Sequence, residues 1–349
     1  MFGRLFAFGR RAFAACLMCA ASAAGATSPA AERPEFDTSV PGLSAEEVRA
    51  GRIALFDGRT TFGWTGAELR RAADAPPNAF GELRGGRTTT EFADFTLFVD
   101  VAAAGTLRAG GTTQRLEPGR RTIAVVDAPP QPIELADGLT VRAIGLKSVE
   151  LKPLFNGRDL RAWDRRERAD APPDRRAAWT VEDGAIRAVG GPGAIEYVGD
   201  GNLFGDFFAQ LVAHARKPGV NGGLFLRNEP GRTMMGYEVQ LHNTWYDHAR
   251  GERGYTTGGI DDRMQARAPA ARDGEPFVMT IVARGPHFAV WVNGYQTADW
   301  TDARSADVNP RRGLRLDPGT LQLQAHDPET DWEFRRVDVR SWDRWRGGR

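Results

Sequence analysis

Two segments of this chain alternate with strict period two, and that constrains the fold more than any other feature. In Tyr237-Glu-Val-Gln-Leu-His242, the residues Tyr237, Val239 and Leu241 point one way while Glu238, Gln240 and His242 point the other. In Leu321-Gln-Leu-Gln-Ala-His326, the residues Leu321, Leu323 and Ala325 oppose Gln322, Gln324 and His326. Side chains alternate in this way only on strands whose two faces meet different surroundings. The open faces collect a carboxylate, amides and imidazoles, which is the lining of a polar groove. Further short runs rich in β-branched and aromatic residues cover Phe95 to Val101, Thr122 to Val126, Leu139 to Ile144, Trp179 to Val181, Leu224 to Arg227, Phe277 to Ala283, His287 to Val292, Thr320 to Ala325 and Trp332 to Val339. Gly, Asn, Asp and Pro separate them, and Glu182-Asp183-Gly184 and Val292-Asn293-Gly294 read as hairpin turns. Apart from a short helix at Ser44 to Arg49, whose Ser44-Ala-Glu-Glu resembles a capping box, no long 3.6-residue period occurs. The fold class is all-β, a β-sandwich of jelly-roll type.

A repeat sets the domain organisation. Leu55-Phe-Asp-Gly-Arg59 with Trp64 returns as Leu154-Phe-Asn-Gly-Arg158 with Trp163, and Ala-Asp-Ala-Pro-Pro follows each, at 73–77 and at 169–173. A unit this long points to duplicated domains. Residues 51–152 read as a smaller, truncated copy and 153–345 as a complete sandwich, after a polar linker at 27–50. All groove motifs fall in the second copy, which is therefore expected to fold and act alone.

Residues 1–26 read as an export signal. Arg4, Arg10 and Arg11 flank an apolar run from Ala12 to about Ala24, with small residues permitting cleavage after Ala23 or Ala26. Arg10-Arg11-Ala12-Phe13 is similar to a twin-arginine signal, and the run is too short to span a bilayer comfortably. The expected location is periplasmic or extracellular. Both cysteines, Cys16 and Cys19, lie in this segment, so a processed chain has no disulfide or cysteine-bound metal. Lys and Arg total 46 against 45 Asp and Glu, without a basic block, which argues against nucleic acid as partner. No glycine loop opens a helix, and no serine sits in a nucleophile elbow.

The motifs of the second copy, taken in order, resemble one family. They are Leu154-Phe-Asn-Gly-Arg-Asp-Leu160 with Trp163, Trp179-Thr-Val-Glu-Asp-Gly184, Asn221-Gly-Gly-Leu-Phe-Leu-Arg227, Gly236-Tyr-Glu-Val-Gln240, Thr257-Gly-Gly-Ile260, Trp291-Val-Asn-Gly294 and Leu323-Gln-Ala-His-Asp327. The resemblance is to the 3-keto-disaccharide hydrolase, or 3-keto-glucoside 1,2-lyase/hydratase, domain. It implies a concanavalin-like sandwich with a sugar groove, acting on glycosides whose C3 hydroxyl has been oxidised to a ketone. A C3 ketone acidifies the C2 proton, so a base can remove it and expel the C1 substituent, and water then adds to the glycal. That chemistry needs a base titrating near neutrality, a donor for the enolate oxygen and an acid for the leaving group. It does not need the carboxylate pair of ordinary glycosidases.

Glu238 and His326 are the candidate catalytic residues. Glu238 is read as base or metal ligand, or else as an ion-pair partner of Arg227, and His326 as a titrating group at a strand end or a loop tether. Arg227, Gln240, Asn243, Gln324 and Asp327 are the candidate substrate contacts. The Trp245-Tyr-Asp-His248 loop is either an aromatic platform or loop packing. A divalent metal held by Glu238, His242 and His326 is one possibility, since imidazole and carboxylate suit such an ion, although no compact ligand spacing occurs. A non-catalytic, lectin-like carbohydrate-binding module is the competing function, because a fold does not fix an activity.

Overall fold

The computed structural model describes residues 36–345 apart from 77, 169 and 170. The candidate export segment, with both cysteines, lies outside the described residues, as do the first linker residues, 27–35. Among the described residues no helix is long and apolar enough to cross a membrane.

The described chain is almost entirely antiparallel strand. One exception is the helix Ala45–Arg49, where Ser44 Oγ accepts from the Glu47 N–H at 3.2 Å and the Glu47 carboxylate accepts from the Ser44 N–H at 2.8 Å. The capping box read from the sequence is therefore formed. Strands occupy every run named above, most of them longer by a residue or more at an end. The two hairpin turns hold Asp183 and Gly184 at φ 48° and 73°, and Asn293 and Gly294 at 50° and 79°.

Residues 152–341 build two sheets. The first runs Ala178–Glu182, Ala185–Val189, Asp331–Ser341, Phe207–Ala215, Pro276–Arg284, His287–Val292, Tyr295–Thr301, with Lys152–Pro153 beside Asp331–Ser341. The second has five strands in the order Trp163–Arg166, Gly193–Tyr197, Thr320–Ala325, Gly222–Asn228, Tyr237–Leu241. Between them lies one apolar core that includes Trp163, Leu211, Leu224, Val239, Ile281, Val290, Leu323 and Phe334. This is the concanavalin-like sandwich.

Residues 53–148 form a separate nine-stranded sheet. The repeated motif builds the same local structure in both places. Trp64 Nε1 donates to the Leu55 carbonyl at 2.5 Å and Trp163 Nε1 to the Leu154 carbonyl at 3.2 Å. Asp57 Oδ1 accepts from the Arg59 and Thr60 N–H groups, and Asn156 Oδ1 accepts from those of Arg158 and Asp159. An Asx turn closed by an indole is thus the unit that the repeat encodes.

The two copies share a core, which corrects the expectation that the second stands alone. Phe208, Val282, Ala289, Trp291 and Trp342, outside the core between the two sandwich sheets, pack among Ile53, Leu97, Leu146 and their neighbours. Trp291 Nε1 donates to the Ala54 carbonyl at 2.8 Å, and Gln210 Nε2 to that of Gly51 at 2.7 Å. The same burial explains why Phe277 to Ala283 reads as an unbroken apolar run. A strand covered on both faces has no polar side to show.

Candidate active site

The free face of the five-stranded sheet carries two rows fixed by register. One is Glu196, Gln322, Phe225 and Glu238; the other is Ala194, Gln324, Gly223 and Gln240. Alternation on Tyr237–Leu241 puts Val239 in the core and Glu238 on this face, as the sequence pattern requires. Two loops fold over the rows. The turn after Asn228 lays Met234 on the glutamines: its N–H donates to Gln322 Oε1 at 2.8 Å, and Gln324 Nε2 contacts its sulfur at 3.1 Å. The loop before Gly319 brings Arg311, whose guanidinium sits over the Phe225 ring.

Glu238 is the centre of the arrangement. Its Oε2 accepts from Arg311 Nη2 at 2.9 Å, and the same nitrogen reaches Asp261 Oδ2 at 3.0 Å. Burial raises the Glu238 carboxyl to about 7, Arg311 pulls against that rise and the Asp261 charge adds to it. Asp261 is also raised, chiefly by burial. Two carboxylates thus share one cation, which leaves Glu238 able to exchange a proton at neutral pH.

Gly223 makes room for this. A Cβ on that residue would stand 2.6 Å from Glu238 Oε1 and 3.0 Å from Gln324 Oε1. The carboxylate and the amide therefore converge above a floor without a side chain. Gln324 Oε1 is buried and has no hydrogen-bond partner among the described residues. A buried acceptor left in that state is costly unless a ligand hydroxyl completes it.

His326 directly follows the strand Thr320–Ala325, half exposed, with Nδ1 at 2.9 Å from Asp327 Oδ2. Asp327 is spent on orienting that ring and on the Glu329 N–H at 2.9 Å. His242 is lowered by burial, and its Nδ1 lies 3.2 Å from the Tyr246 hydroxyl. Gln240 is on the groove face and donates to Asn221 Oδ1 and the Gly222 carbonyl.

Two sequence-level assignments fail. Arg227 is fully buried away from the groove and does not pair with Glu238. A bulge between Phe225 and Asn228 interrupts the alternation, Arg227 takes φ 47°, and its guanidinium binds the Gly205, Gly285 and Arg315 carbonyls and Asp206. Gly319 permits the bulge, since a Cβ there would lie 2.4 Å from the Arg227 carbonyl carbon. Asn243, 2 % exposed, is no substrate contact either: its amide donates to Asp273 Oδ1 and accepts from Thr257 Oγ1, tying loops together. In the aromatic loop, Trp245 packs on Phe36 with ring centroids 4.7 Å apart, which is loop packing. Among the described residues no three His, Asp or Glu side chains are placed to hold a metal ion, so Glu238, His242 and His326 do not assemble as a ligand set.

Asp261, Arg311 and Gly223 were not singled out from sequence. Asp261 directly follows Thr257-Gly-Gly-Ile260, so a signal stood one residue away. Arg311 has none, being one arginine among many in an irregular loop.

No curated protein matches the chain. Solved structures similar to it include a candidate glycosyl hydrolase from Parabacteroides distasonis, at 19% identity over 54% of this chain and 92% of that one, with a TM-score of 0.42. Another from the same organism gives 23%, 56%, 86% and 0.41. The carbohydrate-binding module CBM66 from Bacillus subtilis gives 10%, 52%, 98% and 0.35. These likenesses are too distant to carry an argument about the site. The family pattern is another matter: that of the 3-keto-alpha-glucoside-1,2-lyase-like domain matches residues 150–340, more than half of the chain and the whole groove. The protein belongs to the 3-keto-alpha-glucoside-1,2-lyase-like family and is a carbohydrate-active protein.

Proposed function

We propose that this protein cleaves 3-keto-glycosides by elimination across C1 and C2 followed by hydration. Glu238 is the base. As a carboxylate it takes the C2 proton, the C–H electrons pass into the enolate of the C3 ketone, and the enolate collapses to expel the C1 oxygen substituent. The Arg311 guanidinium, adjacent to Glu238, is the donor for the enolate oxygen. His326, steadied by Asp327, protonates the departing oxygen and then serves the water that adds to C1. Gln324 and Gln240 hold sugar hydroxyls on the floor.

The observation that carries this reading is Glu238, raised by burial to about 7 and converging over a glycine with an amide oxygen that has no partner among the described residues. A general base works best when its pKa lies close to the working pH. We also take residues 1–26 as an export signal, which places the reaction outside the cytoplasm. The test is incubation of the processed chain with a 3-keto-glucoside bearing a chromogenic leaving group. Turnover that Glu238→Gln abolishes without lowering the melting temperature supports the assignment. Sugar binding without turnover by the parent would make the protein a lectin-like module instead.

A further inference from the structure

Met234 is held in a backbone conformation that its residue type disfavours. Its φ is 54°, in the left-handed region where a side chain crowds the main chain. The turn around it allows no relaxation. The buried Asn228 amide donates to the Glu229 and Arg232 carbonyls, each at 2.8 Å, and its oxygen accepts from the Met235 N–H. The Glu229 N–H closes the turn on the Met235 carbonyl at 2.9 Å. From the sheet, Gln322 accepts the Met234 N–H at 2.8 Å and donates to the Arg232 carbonyl at 2.7 Å, which occupies both ends of its amide. From the loop, Arg311 Nη1 donates to the Met234 carbonyl at 3.4 Å. A strained residue fixed from so many sides is the mark of a side chain that must stand in one place.

That place is against Gln324, whose Nε2 lies 3.1 Å from the Met234 sulfur. A thioether is a weak acceptor and never a donor, so it suits the NH2 end of an amide and not the carbonyl end. The amide is thereby turned with Oε1 toward the Gly223 floor, where a Cβ would stand 3.0 Å from it and 2.6 Å from Glu238 Oε1. At this point the floor offers two acceptors. A ketone oxygen, which only accepts, finds no partner there, whereas a hydroxyl does. In a 3-keto ring, C2 carries both the proton that Glu238 takes and a hydroxyl. If that hydroxyl donates to Gln324 Oε1, C2 is held at the base and the ketone is left for Arg311, the cation that the Met234 carbonyl helps to hold.

We propose that Met234 is a positioning residue: its thioether fixes the orientation of the Gln324 amide, so that the site selects rings with a free hydroxyl on C2. The proposal rests on the elimination reading, and the experiment separates the two. Met234→Leu keeps the size and the unbranched Cβ but removes the acceptor, while Met234→Gln returns an acceptor in the form of an amide oxygen. Two measurements are made on the full processed chain and both variants. The first is kcat/KM on a 3-keto-glucoside and on its 2-deoxy counterpart, each variant being compared with the parent on the same compound so that intrinsic reactivity cancels. Met234→Leu should lose about tenfold on the 2-hydroxy compound and less than twofold on the 2-deoxy one, and Met234→Gln should recover most of the loss. The second is the Gln324 side-chain amide signal in NMR, identified by its disappearance in Gln324→Leu. It should move in Met234→Leu and return toward the parent position in Met234→Gln. Equal losses on the two compounds, no loss on either, or an unmoved amide signal overturn the positioning role. Absence of turnover on both compounds by the parent overturns the elimination reading, and the amide signal then still decides whether Met234 orients Gln324.

Discussion

Gly223→Ala is the smallest change that tests the geometry of the site. Gly223 lies in the groove strand, outside the positive-φ region, so its backbone accepts alanine without strain. Replacing a strand glycine should even favour folding by roughly 0.5–1 kcal/mol. The new methyl would stand 2.6 Å from Glu238 Oε1, 2.9 Å from Glu238 Cγ and 3.0 Å from Gln324 Oε1, where ordinary contact begins at 3.4 Å. The carboxylate must therefore retreat by about 0.8 Å, the difference between 3.4 and 2.6 Å. A shift approaching 1 Å in a reacting group costs on the order of 100-fold in rate. Kinetics on a 3-keto-glucoside should show that loss, with a melting temperature equal to or above that of the parent. Gly222→Ala is the control, because its methyl would meet Trp332 Nε1 at 2.8 Å on the core side. That variant should lose stability and keep its turnover per folded molecule. A fully active Gly223→Ala protein would refute the placement of chemistry above this floor.

Three further outcomes follow from named groups. Because Glu238 acts as a carboxylate and is raised to about 7, kcat/KM should climb with pH through 7 and level off above it. The same raised group binds its proton more tightly in the folded state, so its stability contribution is whole below about 4.5 and is lost as pH rises to 7; Glu238→Gln should gain on the parent by up to roughly 3 kcal/mol at pH 8 and by nothing near pH 4, as denaturant titrations would show. Arg227→Met should cost roughly 3–5 kcal/mol by leaving Asp206 short of a buried partner, while folded molecules keep their kcat; a selective loss of kcat would return Arg227 to the site. The 153–345 fragment should be far less stable than the 36–345 chain in calorimetry, because Phe208, Val282, Trp291 and Trp342 lose their cover at roughly 1.5–3 kcal/mol per large side chain; equal melting temperatures would show that the shared core contributes little.

Period two made the groove sheet legible. Tyr237–Leu241 and Thr320–Ala325 are two-faced strands, and their alternation placed Glu238, Gln240 and Gln324 on one surface. The same rule failed at Arg227, where a bulge and a positive φ reverse a side chain without any mark in the pattern beyond Gly319, far along the chain and unrelated by motif. The central strand Phe207–Ala215 also escaped notice, since four of its residues are alanine or histidine rather than β-branched. Its burial on both sides removes the alternation that reveals an exposed strand. The repeat identified the Asx turn and its indole cap in both copies. It was silent on packing between them, because residues such as Trp291 and Phe208 look like ordinary core whichever core receives them. Arg311 and Asp261 complete the site from loops, where spacing carries no geometry.

Proton exchange at C2 tests the central claim most directly. The protein is incubated with a 3-keto-glucoside in deuterium oxide, and C2 of the product is followed by NMR at early times against an enzyme-free control. Removal of the C2 proton by Glu238 predicts deuterium at C2 in step with release of the leaving group, with both processes lost in Glu238→Gln. Release of the leaving group with the original proton still on C2 would contradict elimination and with it the role assigned to Glu238.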